Sequence, residues 1–354
     1  MNRRSLLLVP LLALSLMGAG CFGLGGSSTP AVADGGVFRT RDEAVKWEQL
    51  KVLNLETQLG STVELGTVTA AFDAQDPNTM YVGTVENGLM YSYNAGQSWH
   101  LANGLSKGKI NGIVADTKDK CTVYAVRANQ VHKTSSCGRE WAEVWSHPRA
   151  ETVITAMVGD WYNPKTLYIG TSEGDILRSD DGAMTWRPMH RVDDNRINDL
   201  KIDPQDSRVV YAATNGVGML KSVDGGATWL EIRKQLQEFQ YARTPKFMVM
   251  DANVRDRIYQ ISRYGLLVSD DGGAAWRGVT LPTAPQTTEI VAFAVDPKDS
   301  KTLVYATASA LVMSKDGGVS WASKKLPTKR GVAWMSFSRE EKPALLLGAA
   351  PLKK

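Results

Sequence analysis

An octapeptide ending in tryptophan recurs along the chain, and this repeat constrains the fold more than any other feature. Residues 222–229 read SVDGGATW, and close copies read SDDGAMTW at 179–186, SDDGGAAW at 269–276 and SKDGGVSW at 314–321. Weaker copies read SYNAGQSW at 92–99, TSSCGREW at 134–141 and TRDEAVKW at 40–47. The seven tryptophans are separated by 52, 42, 45, 43, 47 and 45 residues. A period of about 45 residues is the size of a four-stranded propeller blade.

The segments between the octapeptides have the pattern of short strands separated by turns. Residues 197–202, 208–214 and 218–222 are apolar or β-branched runs, divided by Asp-Pro and Asn-Gly turn signals. Helical periodicity is confined to residues 230–239. The sequence therefore predicts an all-β fold with four strands in each repeat.

The two ends of the chain complete the blade count. Residues 36–40 form one predicted strand before the first octapeptide, and residues 332–338 and 344–350 form two more after the last tryptophan. Together with the strand that begins at Trp47, they make a blade of four. Such closure removes open sheet edges that would invite aggregation. We therefore predict a single seven-bladed propeller of four-stranded antiparallel blades over residues 36–354, closed by N- and C-terminal strands.

The octapeptide resembles the Asp-box, also called the bacterial neuraminidase repeat. That repeat is shared by sialidases, sortilin-type receptors, xyloglucanases and photosystem II assembly-factor propellers, so the resemblance implies the fold more strongly than a function. Its acid accepts hydrogen bonds from turn N–H groups, and its glycines allow positive φ. In the related families these turns lie on the periphery, which implies structural roles for Asp42, Trp47, Asn94, Trp99, Trp141, Asp181, Trp186, Asp224, Trp229, Asp271, Trp276, Asp316 and Trp321.

The N-terminal residues have the features of an export signal. A basic start precedes a twelve-residue apolar run at 6–17, which is too short to cross a hydrocarbon core of about 30 Å. Cys21 follows three small residues, and this resembles a bacterial lipobox. We expect a signal peptide over residues 1–20, a lipidated Cys21 and a flexible tether over residues 21–35. Cleavage without lipidation, near Ala19 or Ala33, is the alternative.

The resemblance to a lipoprotein gives an expected location. We expect an exported protein, lipid-anchored on the periplasmic or cell-surface side of a membrane, or on the thylakoid-lumen side in a photosynthetic cell. An exported protein meets oxidising conditions. Cys121 and Cys137 flank a predicted hairpin symmetrically about residue 129, so the sequence predicts a disulfide between them, with two free thiols as the alternative.

Basic residues are concentrated in the loops that join one blade to the next. In this architecture those loops meet the hairpins between second and third strands on the face opposite the boxes. The net charge of +4 is too balanced to indicate nucleic-acid binding. We predict that this face binds an exported or membrane-bound protein through Arg149, Arg191, Arg196, Arg243, Lys246, Lys329 and Arg330. Scattered solvated charge, diluted by acids such as Asp193, is the alternative.

Three functional classes compete. The repeat most resembles that of photosystem II assembly-factor propellers, which implies a monomeric, non-catalytic scaffold for a membrane complex. A glycosidase is the alternative, but no sequence feature nominates its paired carboxylates, and a xyloglucanase usually has two propellers. A surface receptor or adhesion module is the third. No catalytic residue, cofactor or metal is predicted, because the three Cys and four His lack ligand spacing.

Overall fold

The computed structural model describes residues 33–55 and 58–352, and their strands form seven antiparallel sheets arranged as a propeller. The compact unit that holds the propeller extends over residues 32–354. The predicted signal peptide, Cys21 and most of the predicted tether lie outside the described residues. Within the described part of the chain, no helix is long and apolar enough to cross a bilayer.

The strands follow the order expected from the sequence, with one addition. Along the chain they are β1 (Val37–Thr40), β2 (Glu48–Leu50), β3 (Val52–Asn54), β4 (Leu59–Ser61), β5 (Thr67–Phe72), β6 (Met80–Thr84), β7 (Leu89–Ser92), β8 (Trp99–Leu101), β9 (Ile110–Ala115), β10 (Val123–Arg127), β11 (Gln130–Thr134), β12 (Ala142–Ser146), β13 (Ile154–Gly159), β14 (Leu167–Thr171), β15 (Asp175–Ser179), β16 (Arg187–Arg191), β17 (Ile197–Ile202), β18 (Val210–Thr214), β19 (Met219–Ser222), β20 (Leu230–Ile232), β21 (Phe247–Met250), β22 (Ile258–Ser262), β23 (Gly265–Ser269), β24 (Arg277–Gly278), β25 (Ala292–Asp296), β26 (Asp299–Ala306), β27 (Ala310–Ser314), β28 (Ala322–Lys325), β29 (Val332–Phe337) and β30 (Leu345–Ala349).

Each blade is a four-stranded meander whose first strand lies innermost. Blades 1 to 6 are β5–β8, β9–β12, β13–β16, β17–β20, β21–β24 and β25–β28, and the first strands of neighbouring blades contact each other. Blade 7 has the order β29-β30-β1-β2, so two C-terminal strands meet two N-terminal strands. The predicted seven-bladed closure is confirmed. Val37 pairs with Gly348 and Thr40 with Leu345 across the joint.

The Asp-box-like octapeptides, hereafter the boxes, form the turn between the third and fourth strand of each blade. In residues 222–229, Ser222 Oγ donates to Asp224 Oδ1 at 2.8 Å and accepts from Gly226 N at 2.7 Å. The Thr228 N–H donates to the same carboxylate at 2.9 Å. These bonds close the turn locally, which is why a serine, an acid and a small residue recur at this spacing.

Two buried tyrosines of second strands join their blade to the box of the next blade by a hydrogen bond. The Tyr168 hydroxyl of blade 3 donates to the Gly225 carbonyl of blade 4 at 2.9 Å, and Tyr211 reaches Gly272 in the same way at 3.3 Å. The repeated tyrosines, each almost wholly buried, are Tyr81, Tyr124, Tyr168, Tyr211, Tyr259 and Tyr305. Burying such large side chains between sheets contributes to interblade stability.

The interblade segment 51–65 contains a hairpin that the sequence did not predict. Its strands β3 and β4 pair with each other, and β3 runs parallel to β8, so the sheet of blade 1 has six strands. Leu53 is buried in the cluster that holds Trp99, and this anchors the hairpin on the blade edge. The helical pattern at 230–239 yields only a short 3-10 helix, Lys234–Leu236.

Candidate functional site

Two sets of loops meet on the face opposite the boxes, hereafter the loop face. The hairpins between second and third strands bond to the interblade loops: Gly88 N donates to Gly108 O at 3.0 Å, and Val192 N donates to Gly174 O at 3.0 Å. A basic residue on an interblade loop therefore shares this face with those on neighbouring hairpins. Arginines and lysines that are distant in sequence are brought to one side of the propeller.

Two of the predicted basic residues share one acid, and a second acid pairs with one of them. Asp175 pairs with Arg149 at 2.8 Å and with Arg191 at 2.6 Å, and Arg191 also pairs with Asp193 at 2.8 Å. Hydrogen bonds to these two carboxylates raise the pKa of Arg191 above its usual value. The structure thus brings Arg149 and Arg191 together but leaves them little uncompensated charge.

Arg330 has a structural role that the sequence did not indicate. Its side chain is only 1% exposed and pairs with Asp34 at 3.1 Å. It also donates to the carbonyls of Glu64 at 3.0 Å and Val63 at 3.3 Å. The prediction of Arg330 as an accessible binding residue conflicts with this burial, since the guanidinium is used to hold the first described residues against the propeller.

The C-terminal end of the predicted tether is bound to the propeller. Gly35 N donates to Val63 O at 2.8 Å, so residues 34 and 35 are bound to the propeller, although the flexible segment was predicted to extend to residue 35.

The two predicted lysines differ in their contacts. Lys329 has an exposed side chain, while its backbone N–H donates to Asp34 at 2.6 Å. Lys246 forms an ion pair with Glu289.

Arg196 and Arg243 flank a single hairpin of blade 4. Asn215 N donates to Arg196 O at 2.9 Å, and Gly218 N donates to Arg243 O at 2.9 Å. Both side chains are exposed, and neither makes an ion pair with another residue in the described ranges. Of the predicted arginines, these two therefore have a charge that is free to meet an acidic partner, and the exposed side chain of Lys329 likewise forms no ion pair among the described residues.

An aromatic residue lies on the same loop as Arg243. The guanidinium of Arg263 lies 4.4 Å from the centre of the Tyr241 ring, which is 40% exposed. A groove of about 430 Å³ runs between the hairpin and this loop and includes Gln237, Phe239, Tyr241 and Arg243. The loop is not loose, because its Leu236 and Ala242 are buried against Leu267. Tyrosine and arginine side chains in such a setting are typical anchors of protein interfaces.

The propeller axis offers little for acid–base chemistry. Within the seven innermost strands, all of them described, the charged residues are Asp199, Lys201 and Asp296. Asp199 pairs with Lys201 at 2.8 Å and accepts from Met248 N at 2.9 Å, while Asp296 accepts from Lys298 N at 2.8 Å. In the described residues, no group of three or more His, Cys, Asp and Glu side chains could hold a metal ion.

The fold defines the class as a seven-bladed β-propeller of four-stranded antiparallel blades. No family model matches the chain. The probable oligoxyloglucan-reducing end-specific xyloglucanase of Neosartorya fischeri is 27% identical over 205 residues, 54% of this chain and 24% of the relative. A xyloglucanase from Paenibacillus sp. is 25% identical over 170 residues, 41% of this chain and 16% of the relative. The chain spans less than a quarter of the length of these curated relatives.

Solved structures share the fold at low sequence identity. The GH74 xyloglucanase of Xanthomonas campestris superposes with a TM-score of 0.67 at 15% identity, covering 81% of this chain and 51% of that one. YCF48 bound to a D1 peptide superposes with 0.60 at 17% identity, covering 82% and 94%. YCF48 from Cyanidioschyzon merolae gives 0.58 at 15% identity, covering 84% and 98%. At such identities these likenesses show the propeller fold alone.

Proposed function

We propose that the protein is a non-catalytic scaffold whose loop face binds another protein. The observation that carries the proposal is the pair Arg196 and Arg243, two exposed arginines that share a hairpin and have no acidic partner in the described ranges. Arginine grips carboxylates with paired hydrogen bonds. Tyr241 beside them supplies apolar contact area, so an acidic, membrane-proximal protein segment fits this sector of the face best.

The size of the neighbouring proteins supports a scaffold over an enzyme. This chain matches nearly the whole of YCF48, which has been solved with a bound D1 peptide, but only about half of the GH74 chains. We extend the proposal to a role in assembling or stabilising a membrane complex, which is a photosystem II-type complex where the cell is photosynthetic. The protein acts as a monomer, exported and anchored by lipid at Cys21.

A double charge reversal tests the docking face. We expect Arg196→Glu/Arg243→Glu to abolish co-purification of the protein that the wild type captures from native membranes. Capture by the wild type should weaken as salt rises, because rim charges are screened beyond about 8–10 Å at physiological ionic strength. Both side chains are exposed, so folding should change by less than about 0.5 kcal/mol for each substitution.

A matched control reverses two lysines at the opposite face. Lys165→Glu/Lys298→Glu makes the same change in net charge on exposed residues of the box side. We expect this variant to capture the partner normally. Equal loss in both double variants would show a general charge effect, and capture that neither salt nor the arginine reversals affect would exclude the loop face as the docking surface.

A glycosidase is the second candidate, and the two curated sequence relatives favour it because both are xyloglucanases. It requires two carboxylates about 5–10 Å apart around the scissile bond. Incubation of purified protein with xyloglucan and with a sialoside distinguishes the two functions. Release of reducing sugar by the wild type, lost on substitution of a propeller carboxylate, would replace the scaffold proposal with an enzymatic one.

A further inference from the structure

Blade 1 departs from a contact that three other blades repeat. In blades 2, 3 and 4 a basic side chain of the third strand covers the buried tyrosine of the second strand at 5.3–5.6 Å, and these pairs are Lys133 with Tyr124, Arg178 with Tyr168 and Lys221 with Tyr211. In blade 1 the same register position, opposite Tyr81, is held by Tyr91. The cation of the repeat is thus replaced by a second aromatic ring.

The fourth strand of blade 1, β8, also differs from the repeat, at the position that pairs with Tyr91. His100 pairs with Tyr91 across the strands and stacks on its ring, with 5.3 Å between centroids and an interplanar angle of 19°. Asn54 of the extra hairpin reaches His100 Nε2 with its amide at 3.2 Å. The added strands therefore place a side-chain amide against the imidazole. The side-chain oxygen of Asn54, Oδ1, accepts no hydrogen bond from another described residue and can accept one from a ligand.

The box of blade 2 supplies a third departure. Ser136 replaces the acid of the box, and Arg139 follows it on the exposed side of the turn. Arg139 Nε donates to Ser136 O at 3.0 Å, and no described carboxylate forms an ion pair with its guanidinium. Burial raises the pKa of Tyr93 to about 12, and the nearby Arg139 cation opposes this rise. Arg139 is therefore a cation placed beside aromatic rings without a counter-ion.

Asn54, Tyr91, His100 and Arg139 all line one groove. Its volume is about 600 Å³, and it is formed by side chains of both blades, among them Asn54, Tyr91, His100, Asn103, Ser106 and Arg139. A second recess of about 310 Å³, which includes Tyr93 and Lys120, lies on the other side of Arg139. The first groove has a volume typical of small-molecule sites. Tyr91 itself is buried in the core, as are the valines that hold its register position in blades 5 and 6, whereas Asn54, His100 and Arg139 are at least partly exposed along the groove.

We propose that this groove between blades 1 and 2 binds an acidic sugar, a pyranose ring that carries a carboxylate, such as a hexuronic acid. The guanidinium of Arg139 offers paired donors to the carboxylate. The amides of Asn54 and Asn103, the Ser106 hydroxyl and the Glu140 carboxylate supply the donors and acceptors that ring hydroxyls require. His100, stacked on the buried Tyr91, provides apolar contact area for the sugar ring.

Titration of the oxidised full chain with three probes tests the proposal. We expect glucuronate to bind, glucose to bind at least tenfold more weakly, and acetate not to bind. Arg139→Gln should reduce glucuronate affinity at least tenfold and leave the weak affinity for glucose unchanged. The imidazole signals of His100 should shift in NMR spectra on addition of glucuronate. Arg208→Gln, a matched change of an exposed arginine whose side chain is 75% accessible, should alter nothing.

Several results would overturn the proposal. They are an absence of glucuronate binding, equal affinity for glucose and glucuronate, an unchanged affinity in Arg139→Gln, or binding that leaves the His100 signals in place. Asn54→Ala gives a second probe, because it removes the imidazole's partner at the rim and should also weaken glucuronate binding. Arg196→Glu/Arg243→Glu should bind glucuronate normally, so failure here is distinguishable from failure of the docking face.

Discussion

Individual residues in the box turns adopt a backbone conformation that side chains disfavour. Each box has two consecutive residues with positive φ, for example Gly317 and Gly318 at 77° and 92°. In the box at 40–47 the same positions are held by Glu43 and Ala44 at 58° and 63°. The left-handed conformation costs a non-glycine residue about 1–2 kcal/mol. This box is therefore the weakest fit to its turn, although it makes the same hydrogen bonds.

Substitution of Gly317 isolates that backbone cost. A Cβ built there meets nothing within 4 Å, so only the positive φ opposes an alanine. We expect Gly317→Ala to lower the free energy of unfolding by about 1 kcal/mol, after allowing for the smaller entropy of the unfolded chain. Chemical denaturation measures this. Glu43→Gly should raise the free energy of unfolding or leave it unchanged. A loss of stability as large as that of Gly317→Ala would contradict this expectation.

His132 makes stability depend on pH. It is buried on β11, its Nδ1 has no hydrogen-bond partner, and burial together with the Arg127 charge lowers its pKa to about 4. The folded state keeps the ring neutral, while the unfolded chain takes up a proton below about pH 6.5. The stabilising contribution is therefore present above pH 6.5 and falls as the pH drops towards 4, by up to about 3 kcal/mol.

The comparison of wild type with His132→Leu tests this sign. Unfolding free energies measured from pH 7 to pH 4 should fall more steeply for the wild type, because the variant lacks the titrating group. Below about pH 4 the two curves should become parallel again. Curves that are parallel across the whole range would show that His132 titrates normally in the folded protein.

At the scale of the strand and turn, a hydrogen bond between the box and the second strand recurs, and blade 2 adds a disulfide to it. A box N–H bonds to a carbonyl just before the second strand in blades 1 to 5 and inside that strand in blade 6, as from Gly182 to Lys165 at 3.0 Å and from Cys137 to Cys121 at 3.1 Å. In blade 2 the structure joins these two cysteines by a disulfide. The covalent bond lies where the box has serine instead of an acid.

We expect the disulfide to stabilise the folded protein. Closing a loop of about 15 residues contributes up to about 3 kcal/mol in the chain-entropy model. Cys121→Ser/Cys137→Ser should therefore unfold at lower denaturant than the oxidised wild type and match the reduced wild type. Non-reducing peptide mapping of protein from an oxidising compartment should recover the linked peptides, and two free thiols there would refute the prediction.

The strands show what local sequence determines. Trp229 and its counterparts predicted the blades because spacing and turn chemistry are local properties of the chain. The β3–β4 hairpin was missed because β3 and β4 have three residues each, and β3 is stabilised by β8, some 45 positions away. Likewise Asp175 was not recognised as the partner of Arg149 and Arg191, because ion pairs across loops depend on three-dimensional proximity. The sequence placed Arg196 and Arg243 on this face, but it could not separate them from the predicted residues that form ion pairs.

At the scale of the whole molecule, the first described residues leave from the loop face. Asp34 and Gly35 are bound by Arg330 and Val63, which belong to interblade loops. Cys21 lies thirteen residues before Asp34, a stretch that extends at most about 45 Å. A lipid at Cys21 would therefore keep the proposed docking face close to the membrane, where a membrane-bound partner presents its segments.

Substitution of Cys21 tests the anchor. We expect Cys21→Ser to move the protein from the membrane to the soluble fraction, because the substituted chain has no thiol at this position to carry acyl chains. Arg196→Glu/Arg243→Glu serves as the control, since it keeps the anchor and should stay with the membrane even without its partner. Membrane association that survives Cys21→Ser would point to an uncleaved N-terminal segment instead.

The closing blade has a mechanical consequence. It holds the start and the end of the propeller side by side, with β1 inserted between β30 and β2. Tension applied through an N-terminal anchor is carried first by Asp34 and Arg330 and then by the four residue pairs that join β1 to β30. The other blades are each one continuous stretch of chain. Under load, the propeller should therefore open first between β1 and β30, while the remaining blades keep their shape.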